Sequence, residues 1–383
     1  MDREQGEWKE HLRQLLAHDL VKVLLFAVIL VLLSSIHYLS NMALETDVGL
    51  VFDDSFIHIQ FARTIYEGIA WQYNPGEIST GSTSPLWSIT LSLLFFVTSD
   101  STSLLWGVHA VSVLFYIAST FLIGYIAKTY TSSLSWSLVA MVGFVFLPRN
   151  TLLMLSGMET PLFVFLILLS LAVMDRQEQK YDSIIGIIAG LTFLARPEGA
   201  LIALVCVPIR SLILAIDVEI NRARVISLMG MYGYMAVIAS SWVLFCLHSS
   251  GHLLPATFYV KASVTDFAIE AWDGHWIFWF GQYPYLLPAI LIGAFLALYR
   301  KPHPWLFSIS LALAYRLTLP YSALINHARY LVPVFDLLAF SFILSFALLQ
   351  NTIGQWIAES GSSEHAKETR TTIKVASIAI VCL

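Results

Sequence analysis

The chain has 383 residues, 57% of them hydrophobic and only 12% charged, with a formal net charge of −5 and a mean hydropathy of +0.74. A soluble domain carries roughly 25% charged residues, so this composition excludes an ordinary water-soluble domain. No basic patch interleaved with aromatic residues points to nucleic acid as a partner.

In chain order, the first long apolar run covers 20–42. It exceeds the h-region of a signal peptide and no clean small-residue cleavage site follows it, so it reads as a retained first helix. Further runs suited to membrane helices cover 104–127, 134–148, 161–174, 183–195, 198–216, 225–248, 277–298, 304–320 and 330–349. A span needs about 20 apolar residues, and continuous runs demand helices rather than the alternating strands of a barrel. The expected architecture is therefore an all-α polytopic membrane protein with about 10–11 transmembrane helices in a single domain over 1–383. A last apolar run, 372–383, would be the start of a further span. Cys206, Cys246 and Cys382 all lie in apolar stretches with no CxxC pair, which reads as buried thiols rather than a metal or redox site.

The segment 86–98 is apolar but short, and whether it crosses decides the parity of everything after it. With a cytoplasmic N-terminus and 86–98 lying on the membrane surface, 15 of the 21 Lys and Arg residues fall on the cytoplasmic side, as the positive-inside rule prefers. Residues 43–103 then form one large extracytoplasmic loop with surface-lying helices. That loop holds seven acids and one base, Arg63. Arg149, Arg196, Lys261 and Arg329 remain as external basic residues that the rule does not explain.

Five short stretches carry candidate chemistry. In DDSFIHIQFAR (53–63), Asp54 and His58 share a helix face while Asp53 is rotated away. Two adjacent carboxylates beside a low-dielectric layer resist ionising together, which suits a general base or a metal ligand; an ordinary helix N-cap is the bland alternative. YNPGEISTGSTSPLW (73–87) is a turn around Asn74, then Glu77, then Thr83 and Ser84 leading through Pro85 into an apolar helix that Trp87 would anchor at headgroup depth. SGMETPLF (156–163) sets Glu159 just outside a span. FLARPEGAL (193–201) breaks a 34-residue apolar run with Arg196 and Glu198, and charges at a broken point between membrane helices are expensive and usually functional. A tight hairpin closed by an internal Arg196–Glu198 pair is the plainer reading. INHARYLVPVF (325–335) puts His327 and Arg329 at the mouth of a span, where Arg either grips a phosphate or snorkels.

These motifs, in this order, resemble the GT-C superfamily of polytopic glycosyltransferases, and within it the branch that includes the mycobacterial terminal β-(1→2) arabinofuranosyltransferase. The resemblance covers most of 40–340. It departs from that branch at Ser55-Phe56, where Ala-Tyr is usual, and at Ser82-Thr83-Ser84, where Tyr-Thr-Asn is usual. It implies a sugar donor linked to polyprenyl phosphate, an acceptor that is a glycan, lipid or protein, and an integral plasma-membrane enzyme of cell-envelope glycan biosynthesis. The active site would be extracytoplasmic. It makes the first acid, Asp53, the expected base, with Asp54 supporting it or binding the acceptor. Glu159 is the expected second acid, with Asp53 and Glu159 as ligands if a divalent ion (Mg or Mn) takes part.

On this reading the acceptor hydroxyl loses its proton to Asp53 and attacks the anomeric carbon, inverting it. Arg196, Arg329, Lys261 and His58 stabilise the departing phosphate, and Arg63, Asn74, Glu77, Thr83, Ser84 and Trp87 shape the substrate loop. The rival class is a transporter or flippase, since intramembrane charges and a broken helix also suit a substrate path.

Overall fold

A computed structural model describes residues 2–45, 49–147, 149–174, 176, 178–217, 221–262, 291, 306, 308, 310–312 and 329–360. About 81% of the described residues are helical and none of them forms a strand, and the expectation of an all-α membrane protein holds. Among the described residues four helices are long and apolar enough to cross a bilayer: His18–Glu45, Ser101–Thr131, Arg222–Ser250 and Val332–Gln355. The expected spans over 277–298 and 304–320, and the terminal run 372–383, lie outside the described residues apart from a few positions.

The first helix, α1 (Asp2–Glu45), is continuous through the first apolar run. After it come α2 (Asp54–Tyr66), α3 (Pro85–Ser92) and a 3₁₀ turn (Leu93–Phe96). Pro85–Phe96 measures roughly 20 Å at the rises of the two helix types. The bilayer core is about 30 Å thick, so this segment is too short to cross, in keeping with a surface-lying element. Then α4 (Ser101–Thr131) begins at an N-cap: Ser103 N–H donates to Asp100, which holds that exposed carboxyl below its ordinary pKa.

Next come α5 (Leu134–Val145), α6 (Asn150–Met154), α7 (Thr160–Met174), α8 (Lys180–Ala195), α9 (Gly199–Asp217), α10 (Arg222–Ser250) and α11 (Ala256–Ala262). The last described helix, α12 (Val332–Ser360), follows a 3₁₀ turn at Arg329–Leu331. Helix α7 is apolar all round and buried on most faces, as a helix at the centre of a bundle must be. It packs against α4, α8 and α9, and α12 packs against α4 and α5.

Helix α8 is drawn tightly onto α10 by two glycines one turn apart. A Cβ at Gly186 would sit 2.2 Å from the Met231 carbonyl oxygen, and one at Gly190 would sit 2.7 Å from Ile238 Cβ. Small residues at this spacing let membrane helices approach backbone to backbone. The start of α8 is bolted by charge. Asp182 accepts from Arg210 on one oxygen (3.0 and 3.1 Å) and from Arg224 (2.9 Å) and Ser227 (2.7 Å) on the other, while Arg210 also donates to the Met174 carbonyl at 2.8 Å. Asp182 and Arg210 are fully buried. This bolt ties the end of α7 to α8, α9 and α10.

Candidate functional site

The other end of α8 is built differently. Pro197 disfavours helical backbone in the residue before it, and Arg196 is accordingly extended (φ −154°, ψ 141°) where α8 stops. Gly199 N–H then turns back to the Arg196 carbonyl at 2.8 Å and α9 begins. Gly199 lies so close to α8 that a Cβ there would meet the Thr192 carbonyl oxygen at 2.2 Å. The break therefore swings the Arg196 side chain sideways into the bundle instead of along the helix.

There it meets Glu159. Arg196 Nε donates to Glu159 Oε1 at 2.6 Å and Nη2 donates to Thr160 Oγ1 at 2.9 Å. Its guanidinium lies over the rings of Phe163 (5.3 Å) and Tyr330 (5.0 Å). The second Glu159 oxygen faces His58 Nε2 at 3.1 Å. Arg196, Glu159 and His58 are 1%, 3% and 3% exposed. A buried, closely paired guanidinium and carboxylate of this kind survive because each cancels the other's desolvation cost. Arg196 thus has a long-range partner, which the sequence reading of a local Arg196–Glu198 pair did not foresee, because the Pro197 break turns it toward α7.

The loop 155–159 that carries Glu159 is clamped by the two stretches at the front of the chain. Ser55 Oγ donates to the Ser156 carbonyl at 2.8 Å, and Trp87 Nε1 donates to the Gly157 carbonyl at 3.0 Å. Gly157 has φ +82°, and a Cβ would press on Leu50 at 2.8 Å and on Ser55, so only glycine fits. Trp87 is fully buried. It is a clamp on this loop rather than a headgroup anchor, because its indole N–H finds a protein carbonyl.

Asp53 is the N-cap of α2, with Oδ1 accepting from the Asp54 amide at 2.9 Å, and it is exposed. Asp54 is half-buried and stands one turn before His58, on the face that carries Ser55, His58 and Phe61 inward. The pair thus caps a helix, as the plainer reading had it, and Asp54 stands one turn from His58 on the same helix. Ser84 is the N-cap residue of α3 and is buried, without a capping bond from its side chain.

A narrow cleft opens beside this cluster, lined by Thr83, Glu159, Arg196, Pro197, Glu198, Phe258 and Tyr330. All five sequence stretches contribute to the cleft or to its support, although they span 53 to 330. Tyr330 and Thr160 each lie beside a residue singled out by sequence. Phe258, in the short helix α11, carried no sequence signal.

The remaining candidates lie apart from the cleft lining. Arg63 is exposed and pairs with Glu67 at 2.8 Å. Asn74 and Glu77 are exposed on a turn in which Glu77 N–H reaches the Asn74 carbonyl, closed by an antiparallel bridge between Gln72 and Ile78. That turn docks on α10 through Trp71, 4.6 Å from Trp242. Lys261 is in α11 and Arg329 opens the 3₁₀ turn before α12; their side chains, and His327 altogether, lie outside the described residues.

The residues present do not fit a divalent-ion site. Glu159 turns one oxygen to Arg196 and the other to His58, and among the described residues no three His, Cys, Asp or Glu side chains come together. A hard cation wants six or more oxygens.

No protein-family model matches this sequence, and no curated protein does. Solved structures do resemble the fold. The Archaeoglobus fulgidus oligosaccharyltransferase in its complex with Zn and sulfate aligns at a TM-score of 0.53 and 14% identity, covering 94% of this chain and 52% of that one. The apo form of the Archaeoglobus fulgidus enzyme aligns at 0.51 and 11% identity, covering 94% and 55%. This chain spans about half the length of those proteins. At such identity the likeness is one of fold alone, and it does not reach the arabinofuranosyltransferase branch.

Proposed function

We propose that this chain is a membrane glycosyltransferase of GT-C type that moves a sugar from a polyprenyl-phosphate carrier to an extracytoplasmic glycan, lipid or protein acceptor. The observation that carries the proposal is the convergence of three distant motifs on one cleft, through Ser55 and Trp87 on the 155–159 loop and Arg196 on Glu159. The fold likeness to an oligosaccharyltransferase supports the same class.

Asp54 is the general base in this reading. It is half-buried and shares a helix face with His58, and Asp53 beside it is the exposed N-cap. Asp54 takes the proton of the acceptor hydroxyl as that oxygen attacks the anomeric carbon. The bond to the lipid phosphate breaks on the opposite face, so the centre inverts. General-base help of this kind is worth about 10²–10⁴ in rate. His58, Glu159 and Arg196 form a fixed wall that orients the reacting ring. Arg196 contributes position more than charge, because Glu159 already neutralises it. Arg329 and Lys261 are the remaining cations for the leaving phosphate. No step runs through a metal ion.

The test is transfer from a panel of synthetic polyprenyl-phosphate sugars by the purified chain, its Asp54→Asn variant and its Asp53→Asn variant. Transfer with one donor, lost in Asp54→Asn and largely kept in Asp53→Asn, is the expected result. The reverse order moves the base to Asp53. Transfer unaffected by either substitution sinks the mechanism.

A further inference from the structure

One buried acid takes no part in the cleft. Asp336 lies about one turn into α12 and is 3% exposed, and neither of its carboxylate oxygens has a hydrogen-bond partner. Among the described residues it enters no ion pair. It stands six residues after Tyr330, which lines the cleft, and within a helix apolar enough to cross a bilayer. A bare charge there is prohibitively costly, so it must be neutralised.

Among the described residues the surroundings supply oxygen and no base. Helix α12 packs against α4 and α5, and Tyr116 of α4 reaches the end of α5. Helix α5 carries no titratable residue. Tyr116 is itself fixed in a polar knot: its hydroxyl donates to the Val145 carbonyl at 3.2 Å and lies 3.2 Å from Thr151 Oγ1, which meets Ser34 Oγ at 2.7 Å. Next to Thr151, Asn150 spends its amide N–H on the Phe144 carbonyl at 2.6 Å, while its buried Oδ1 has no partner. Gly143 against Ile343 sets the register of α5 on α12, so Asp336, two turns nearer the start of α12, stands at the level where α5 gives way to Asn150 and Thr151. Two kinds of orphaned acceptor, a carboxylate and an amide oxygen, thus share one buried layer. Acceptors without donors are what a small cation requires, and one carboxylate matches a single positive charge rather than a divalent ion.

We propose that Asp336 anchors a buried site for one small monovalent cation, filled by sodium or by a proton, beneath the cleft. Its occupancy would hold the start of α12, and with it Tyr330, in place.

The experiment uses the full chain in nanodiscs. The unfolding temperature is followed against sodium chloride, with potassium and choline chlorides as controls of ionic strength, for the wild type and for Asp336→Asn, which keeps the side-chain volume. The infrared C=O stretch of a protonated carboxyl is recorded alongside. A sodium-specific rise, on the order of a few degrees at saturation, present in the wild type and absent in Asp336→Asn, means sodium fills the site. No sodium response, together with a protonated-carboxyl band at neutral pH that disappears in Asp336→Asn, means a proton fills it. A sodium response that survives the substitution, or neither a response nor a band in the wild type, overturns the proposal; Asp336→Ser supplies the same comparison should Asp336→Asn fail to fold.

Discussion

The two ends of α8 each bury a carboxylate against arginine, and they differ in what surrounds the pair. At the start, Asp182 is held by two arginines and a serine, with a backbone carbonyl taking a further Arg210 donor. Asp182 and Arg210 are both fully buried. At the far end, roughly 20 Å away at the helical rise, Glu159 and Arg196 are paired just as closely but form the wall of a cleft with Glu198, Thr83, Phe258 and Tyr330. A closed, fully paired charge cluster is a bolt. The same chemistry left open on one side, at a helix break, is a site. Burial and charge alone do not separate the two; access does.

Substitutions sharpen that contrast. The largest effect belongs to the bolt: Asp182→Asn leaves two buried guanidinium groups facing a neutral amide and should cost about 3–5 kcal/mol. Size-exclusion profiles and unfolding temperatures in detergent should show a chain that fails to fold, whatever the substrate. Glu159→Gln should cost less in stability, about 1–3 kcal/mol, because the cleft admits water to the stranded arginine. Its transfer rate should fall by about 10²-fold or more as the oriented wall loosens. If Glu159→Gln unfolds the protein as readily as Asp182→Asn, the distinction between bolt and site fails.

Smaller effects test the supports. Gly186→Ala should destabilise by about 1–3 kcal/mol through the Met231 carbonyl with transfer per folded molecule unchanged. Gly157→Ala strains a left-handed position by about 1–2 kcal/mol and should lower transfer as well, since it displaces the loop bearing Glu159. Equal effects of the two on transfer would weaken the assignment of the 155–159 loop to the site. The smallest effect is pH-dependent. The Asp100 carboxyl titrates below its ordinary value in the folded chain, so its cap on α4 is present above about pH 4 and is lost as pH falls through its lowered folded value. Asp100→Asn should remove that small acid sensitivity from the unfolding curve and leave the neutral-pH midpoint almost unmoved.

Much of the fold was legible in the residues. The spans over 104–127, 161–174, 183–195 and 225–248 fall within a few residues of α4, α7, α8 and α10, because an uninterrupted apolar run in lipid has no alternative to a helix. The brevity of 86–98 and the break at Arg196-Pro197 are likewise local: a length, and a proline that forbids the turn before it. The identity of the candidate residues was legible too, since charges are rare enough in this composition to draw notice.

Their partners were not. Sequence offered Arg196 to Glu198 or to a phosphate, and tertiary packing gives it to Glu159, 37 residues away. Sequence made Trp87 a membrane anchor, and packing makes it a clamp on Gly157, 70 residues away. Phe258 entered the cleft with no signal at all, and Asp336 passed as one acid in an apolar helix. The sequence by itself determined which segments are helices, because backbone hydrogen bonding in lipid is a local demand. Only the tertiary structure decided which buried charges meet. That pairing depends on helix register and on where α8 breaks, and its energy appears only after both partners have left water.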